Sequence, residues 1–219
     1  MVKLSELLIR KYQDFDRQRL LAIGADTAFF GDPIEAYFDD RTLFQDAFYS
    51  YYTDVEPTFT WVACYGSEVV GFLAGCLDTK NYQRDIRRII IPRVFKRLIR
   101  WKYIIGARSI SYMNGLLGGF FFGDFSPVDY STYPAHLHIN IDKGWRGFGL
   151  GRKLILAYID QLSSINIKGV HLQTTSQNQI ACRLYENLDF RILWARTDHF
   201  WTKWFGYKVE NRCYGRLLS

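Results

Sequence analysis

Several things are scarce or absent in this chain of 219 residues. It has only four cysteines, Cys64, Cys76, Cys182 and Cys213, and no two of them form a C-x-x-C pair. That spacing excludes a disulfide framework and predicts buried thiols in a reducing compartment. The four histidines have no cysteine neighbours, so no zinc pattern is present. No uninterrupted run of about 18 apolar residues occurs, which excludes a spanning helix. The opening residues, Met1-Val2-Lys3-Leu4-Ser5-Glu6, lack the apolar run of a signal peptide. Internal repeats and low-complexity tracts are also missing. A soluble, cytoplasmic protein is expected.

What is present argues for a real core. Hydrophobic residues make up 48% of the chain and aromatics 17%, too much for a disordered segment. Length and composition fit one domain over residues 1–219, with an elaboration at about 81–132. The net charge of +6 is uneven. Between Lys80 and Arg108 stand ten basic residues and a single acid, Asp85, for a local +9; the rest of the chain carries −3. The basicity therefore belongs to one segment.

Hydrophobic spacing predicts the elements. Leu4 to Ile23 reads as a helix, and Glu35 to Tyr52 as a second, aromatic-rich one. Thr58 to Cys64 and Glu68 to Leu77 read as a hairpin. Ile86, Ile89, Ile90, Val94, Leu98 and Ile99 mark a basic amphipathic helix whose apolar stripe packs on the domain. Its exposed charges leave other roles open: an acidic-acceptor funnel, an oligomer interface or a membrane-surface contact. No nucleic-acid module is recognisable. Ile104 to Phe122 is a very apolar stretch. Further on, Gly169 to Thr174 reads as a strand, Gln179 to about Asn187 as a helix, and Phe190 to Ala195 as a strand. Asp198 to Gly206 reads as an aromatic loop, and Tyr207 to Tyr214 as the strand that closes the sheet.

The most informative stretch is Ala135 to Gly151. Leu137, Ile139 and Ile141 alternate with His136, His138 and Asn140, a strand with one greasy face. The run Arg146-Gly147-Phe148-Gly149-Leu150-Gly151 follows, and then Arg152 to Leu162 at helical spacing. Glycines at a strand-to-helix turn let unpaired N–H groups approach an anion, most naturally a phosphate or pyrophosphate. The spacing supplies neither a Walker loop nor the G-x-G-x-x-G of dinucleotide sites.

Arg146-x-x-Gly149-x-Gly151 after a strand resembles the acetyl-CoA pyrophosphate motif of the GNAT acetyltransferase superfamily. Asn178-x-x-Ala181-x-x-x-Tyr185-Glu186-x-Leu188-x-Phe190 is similar to the family's later helix signature. The wording Tyr133-Pro134-Ala135-His136-Leu137-His138-Ile139 resembles the branch holding the acetyltransferase-like domains of O-GlcNAc hydrolases. The resemblance covers roughly Thr27 to Phe205. Lys143 stands where proline is common, and Asp189 where glycine usually precedes Phe190.

The resemblance implies an α/β GNAT fold (an α+β mixed sheet) with a helical insertion before the central cofactor strand. It implies transfer of acetyl from acetyl-CoA to a primary amine in a ternary complex, or else an acyl-CoA-binding module without efficient transfer. The cofactor would be held by Ile139, Asn140 and Ile141, by Arg146, Gly147, Phe148, Gly149, Leu150, Gly151 and Arg152, and by Asn178, Ala181 and Tyr185. No metal is called for. Tyr185 is the expected acid for the leaving thiolate, and Ala181, four residues earlier, leaves room beside it. His138 is the candidate base, with Asp78, Asp142 and His199 as others, and Asn178 completes the catalytic set. Trp201, Trp204 and Phe205 wall an acceptor pocket or pack in the core. The expected partner is a small-molecule or peptide amine, without nucleic acid, and with a homodimer possible.

Overall fold

The computed structural model describes residues 6–29, 31–122 and 126–218. The chain begins with a strand and not a helix. β1 (Leu7–Lys11) pairs antiparallel with β2 (Thr60–Tyr65). Leu7 and Ile9 pack on the core while Leu8 is exposed, so period two prevails over the helical reading of this stretch. Helix α1 (Arg17–Asp26) follows, then α2 (Arg41–Phe48), whose N-terminus is capped by Asp40 accepting from the Leu43 N–H at 2.7 Å, and the short α3 (Ser50–Asp54). The single long helix expected over 35–52 is therefore broken into pieces.

β2 and β3 (Glu68–Cys76) form the expected hairpin, with a register shift at Ala63/Cys64. β3 is buried on both faces, which explains its continuous apolar run. Asp78 caps α4 (Thr79–Asp85), which passes through a π turn, Ile86–Ile90, into α5 (Ile91–Leu98). α6 (Ala107–Phe122) completes the insertion. β4 (Ala135–Ile141), α7 (Leu150–Ser164), β5 (Gly169–Thr175) and α8 (Gln179–Glu186) fall where the pattern places them. β6 (Arg191–Thr197) leads into α9 (His199–Phe205), a helix where a loop was expected; Asp198 caps it by accepting from the Trp201 N–H at 2.6 Å. β7 (Glu210–Leu217) is the last strand.

Among the described residues the strands form one seven-stranded mixed sheet in the order β1-β2-β3-β4-β5-β7-β6. β7 thus lies inside, between β5 and β6, and β6 takes the edge expected for β7. Helices cover both faces. One core joins α1, α2 and α3 to Val62, Phe72 and Cys76; the other joins α7 and α8 to Leu73, Leu137 and Tyr214. All four cysteines are buried and free.

Three helix ends share one geometry. After α5, α7 and α8, the residues Trp101, Asn166 and Asp189 take φ of 55°, 58° and 60°. Each sits in paired 6→1 and 5→2 hydrogen bonds, as in Phe190 N–H to Tyr185 O and Asp189 N–H to Glu186 O. Asp189 therefore makes the tight turn without glycine, since Asn and Asp tolerate this region.

Candidate functional site

The site is organised by a split in the sheet. β4 and β5 run parallel but pair only at Ala135–Val170 and His136–His171. Beyond that point they diverge, each held by its other neighbour, β3 or β7. Antiparallel pairs alternate in where their backbone groups point. The Asp142 N–H donates to Val70 O at 3.0 Å, and the register places Asn140 opposite Phe72. The N–H and C=O of Asn140 are thus committed to β3. Those of Ile139 and Ile141 face the opening, and the Ile141 carbonyl there accepts from Arg146 Nε at 3.2 Å.

A cavity of about 410 Å³ fills this wedge. Its floor is the end of β4, and its mouth is the glycine turn before α7. Gly147 and Gly149 have φ of 84° and 75°, a region that disfavours side chains, and a Cβ on either would point into open space. The N–H groups of Leu150, Gly151 and Arg152 at the start of α7 have no partner within the helix, while that of Lys153 donates to Gly149 O at 3.2 Å. Its first turn carries no acid but does carry Arg152, exposed and without an ionic partner among the described residues. A cation at the positive end of a helix is unfavourable unless an anion joins it. The donor set therefore fits a phosphate or pyrophosphate.

Arg146 straps the turn. Its Nη2 also reaches Gly31 O at 3.4 Å, and a Cβ at Gly31 would lie 2.4 Å from Nη1. Asn140 ties the same region from behind. Its amide donates to Thr27 Oγ1 at 2.8 Å and accepts from the Tyr49 hydroxyl at 3.1 Å. Across the wedge stands α8, whose N-cap Asn178 accepts from the Ala181 N–H at 3.3 Å. Tyr185 is 5% exposed and lines the cavity. Burial, then the nearby Cys182, raises its pKa, so the phenol stays protonated. Its ring packs on Phe190 and Tyr214, and its hydroxyl makes no hydrogen bond among the described residues.

The fold recurs in solved structures. SsHAT, known from its crystal structure, is similar over 98% of this chain and 99% of its own, with 24% identity and a TM-score of 0.74. yncA from Salmonella typhimurium, solved with its cofactor acetyl-CoA, is similar over 98% of this chain and 95% of its own, with 15% identity and a TM-score of 0.60. The model of the Acetyltransferase (GNAT) family matches residues 104–190. The fold is that of the GNAT acyltransferases. The matched residues contain β4, the glycine turn, α7, β5 and α8, the elements that enclose the wedge. A stretch of 52 residues is 42% identical to mycothiol acetyltransferase of Nocardiopsis dassonvillei; it takes in 24% of this chain and only 16% of that protein.

Within the GNAT fold, the sequence-derived candidates largely converge. Ile139, Asn140, Ile141, Arg146, Gly147 and Gly149 line the cavity, as do Leu150, Gly151, Arg152, Asn178, Ala181 and Tyr185. Phe148 does not; it packs beside Trp145 on the core. Gly151 serves packing as well as approach, because a Cβ there would lie 3.0 Å from Leu184 Cδ2. Asp78 and Asp142 are structural: Asp78 caps α4, and Asp142 accepts from the Gly144 N–H and pairs with Arg19 at 2.6 Å. His199 opens α9 and is not among the lining residues. Trp201 packs among Phe29 and Tyr37, while the side chain of Trp204 lies outside the described residues. Thr27, Gly31, Trp145, Ile180 and Leu184 also line the cavity and were not singled out. Ile180 and Leu184 had a signal, one step before Ala181 and Tyr185 on the same helix. Thr27 and Gly31 had none, because they arrive from a distant turn.

His138 is not among the lining residues either. It shares its face of β4 with Asn140, two residues on, and lies in a cluster with His136 and His171. The Tyr52 hydroxyl and Thr79 Oγ1 each lie 2.8 Å from a nitrogen of His136, and His171 Nδ1 lies 2.9 Å from Tyr133 O. His138 is exposed. Burial lowers the pKa of His136 and of His171.

The unfolded chain takes up protons at these histidines below about pH 6.5, and the folded chain does not. Stability is thus full above that pH and is lost as pH falls, by up to about 1.4 kcal/mol per pH unit for each buried histidine. The melting temperature is expected to be flat between about pH 7 and 8 and to fall from about pH 6.5 to 5, before most carboxylates titrate. A flat curve down to about pH 5 would refute this.

Proposed function

We propose that this chain transfers the acetyl group of acetyl-CoA directly to a primary amine in a ternary complex. The observation that carries the reading is the wedge between β4 and β5, closed at its mouth by an anion-suited glycine turn and lined at its side by a buried tyrosine. Acetyl-CoA supplies the activated thioester. The N–H groups at the start of α7, with Arg152 and Arg146, hold its pyrophosphate. The outward backbone groups of Ile139 and Ile141 hold the pantetheine arm and polarise the thioester carbonyl. Tyr185 donates its hydroxyl proton toward the departing sulfur. Asn178 fixes the start of α8 and so the position of Tyr185. Among the described residues the lining contains no histidine or carboxylate. His138 is exposed, two residues before the lining residue Asn140 on the same face of β4. The amine reacts as the free base, its proton passing to solvent.

The test is thermal unfolding with acetyl-CoA, coenzyme A and NAD, followed by turnover with a panel of amines. A ligand at ~100 times its dissociation constant adds about 2.7 kcal/mol, or roughly 5–10 °C for a chain of this size. A shift with both CoA forms and not NAD is expected. Shifts without turnover on any amine would leave an acyl-CoA-binding module, and the absence of any shift would overturn the reading.

A further inference from the structure

The basic insertion carries a face that the fold does not use. Its inner side is satisfied: Ile90 is buried, Arg93 pairs with Asp54 at 2.9 Å, and Arg97 pairs with Asp46 at 2.8 Å. Its outer side is not. Ile91, Phe95 and Ile99, four residues apart on α5 and its end, are 54–60% exposed. The apolar stripe expected to pack inward is thus partly turned out, with Leu98 and Ile99 at the surface. Around it stand Arg87, Arg88, Lys96, Arg100 and Lys102, all exposed and with no ionic partner among the described residues.

Trp101 is the sharpest feature. It is 92% exposed, yet it occupies the left-handed position that ends α5, with φ 55°. The equivalent positions after α7 and α8 hold Asn166 and Asp189, residues suited to that backbone. Neither folding nor local conformation explains a tryptophan there, and strain of this kind persists where function requires it.

We propose that this face docks the protein on an anionic lipid surface. The exposed aliphatic and aromatic side chains would enter the headgroup boundary, where tryptophan is favoured, and the unpaired cations would meet the lipid phosphates. Two copies meeting through this face would bring like charges together, and a nucleic acid would have no use for the aliphatic side chains. Among the described residues no helix is long and apolar enough to cross a membrane, so the contact lies in the interface plane.

Flotation of the 219-residue chain with two kinds of vesicle tests this: phosphatidylcholine alone, and phosphatidylcholine mixed with phosphatidylserine. Binding to the anionic vesicles only, weakening with salt, is expected. Changing Arg87, Arg88, Lys96, Arg100 and Lys102 to Gln should weaken it by up to about 3,000-fold, at about fivefold for each of the five cations near the surface. Trp101→Gly should weaken vesicle binding while raising the melting temperature by about 2–4 °C, opposite signs that a merely structural tryptophan would not give. No binding to anionic vesicles, equal binding to both kinds, unchanged binding by the glutamine variant, or a stable dimer that hides Phe95 and Trp101 would each overturn the proposal.

Discussion

Tyr185→Phe is expected to lower the turnover number by roughly 10²–10⁴-fold while leaving acetyl-CoA affinity and fold stability nearly unchanged. The separation follows from the packing. The Tyr185 ring lies 6.0 Å from Phe190 and 5.7 Å from Tyr214, and phenylalanine keeps those contacts. The hydroxyl has no hydrogen-bond partner among the described residues, so removing it leaves no buried group orphaned. What is lost is a neutral donor facing the wedge, held protonated by burial. Steady-state kinetics with a responsive amine, read beside the thermal shift with coenzyme A, checks both halves. Undiminished turnover would remove Tyr185 as the acid; a lost shift would make it a binding residue.

Gly149→Val is expected to weaken acetyl-CoA binding by about 10–100-fold, the loss of one charge-assisted hydrogen bond. The variant should also be destabilised by about 1–3 kcal/mol, because φ of 75° is strained for a β-branched residue. The two effects can be told apart. No atom lies within 4 Å of a Cβ built at Gly149, so crowding against the protein adds nothing to the fold penalty. The side chain would instead occupy the space above the α7 N–H groups. Gly66 offers the control, with φ of 56° and open space around its Cβ, in the β2–β3 hairpin and not among the residues lining the cavity. Gly66→Val should show the strain without the loss of affinity. Isothermal titration and thermal melts of both variants decide it; equal affinities would mean that the turn does not hold the anion.

The sequence by itself determined the strand, glycine turn and helix from Ala135 to Leu162. Period two gives way to helical spacing there, and glycine is the residue that accepts φ of 75–84°. It determined the facing of Ala181 and Tyr185, because four residues make about one helical turn. These are local properties, so local residues carry them. The tertiary structure alone decided the rest. Leu7 to Lys11 became a strand because Trp61 to Tyr65 offers it a ladder that no spacing within residues 4–23 reveals. The aromatic run His199 to Phe205 became a helix and not a loop. Asp198 caps its start, and Trp201 packs on Phe29 and Tyr37, residues far away in the chain. Among Ile139, Asn140 and Ile141, only the register with β3 separates the two residues facing the wedge from the one committed to the sheet. Thr27 and Gly31 reach the cavity only because Asn140 and Arg146 hold their turn against β4. The wedge itself is a relation between β4 and β5, set by where their pairing stops, and a single strand's residues do not encode that distance.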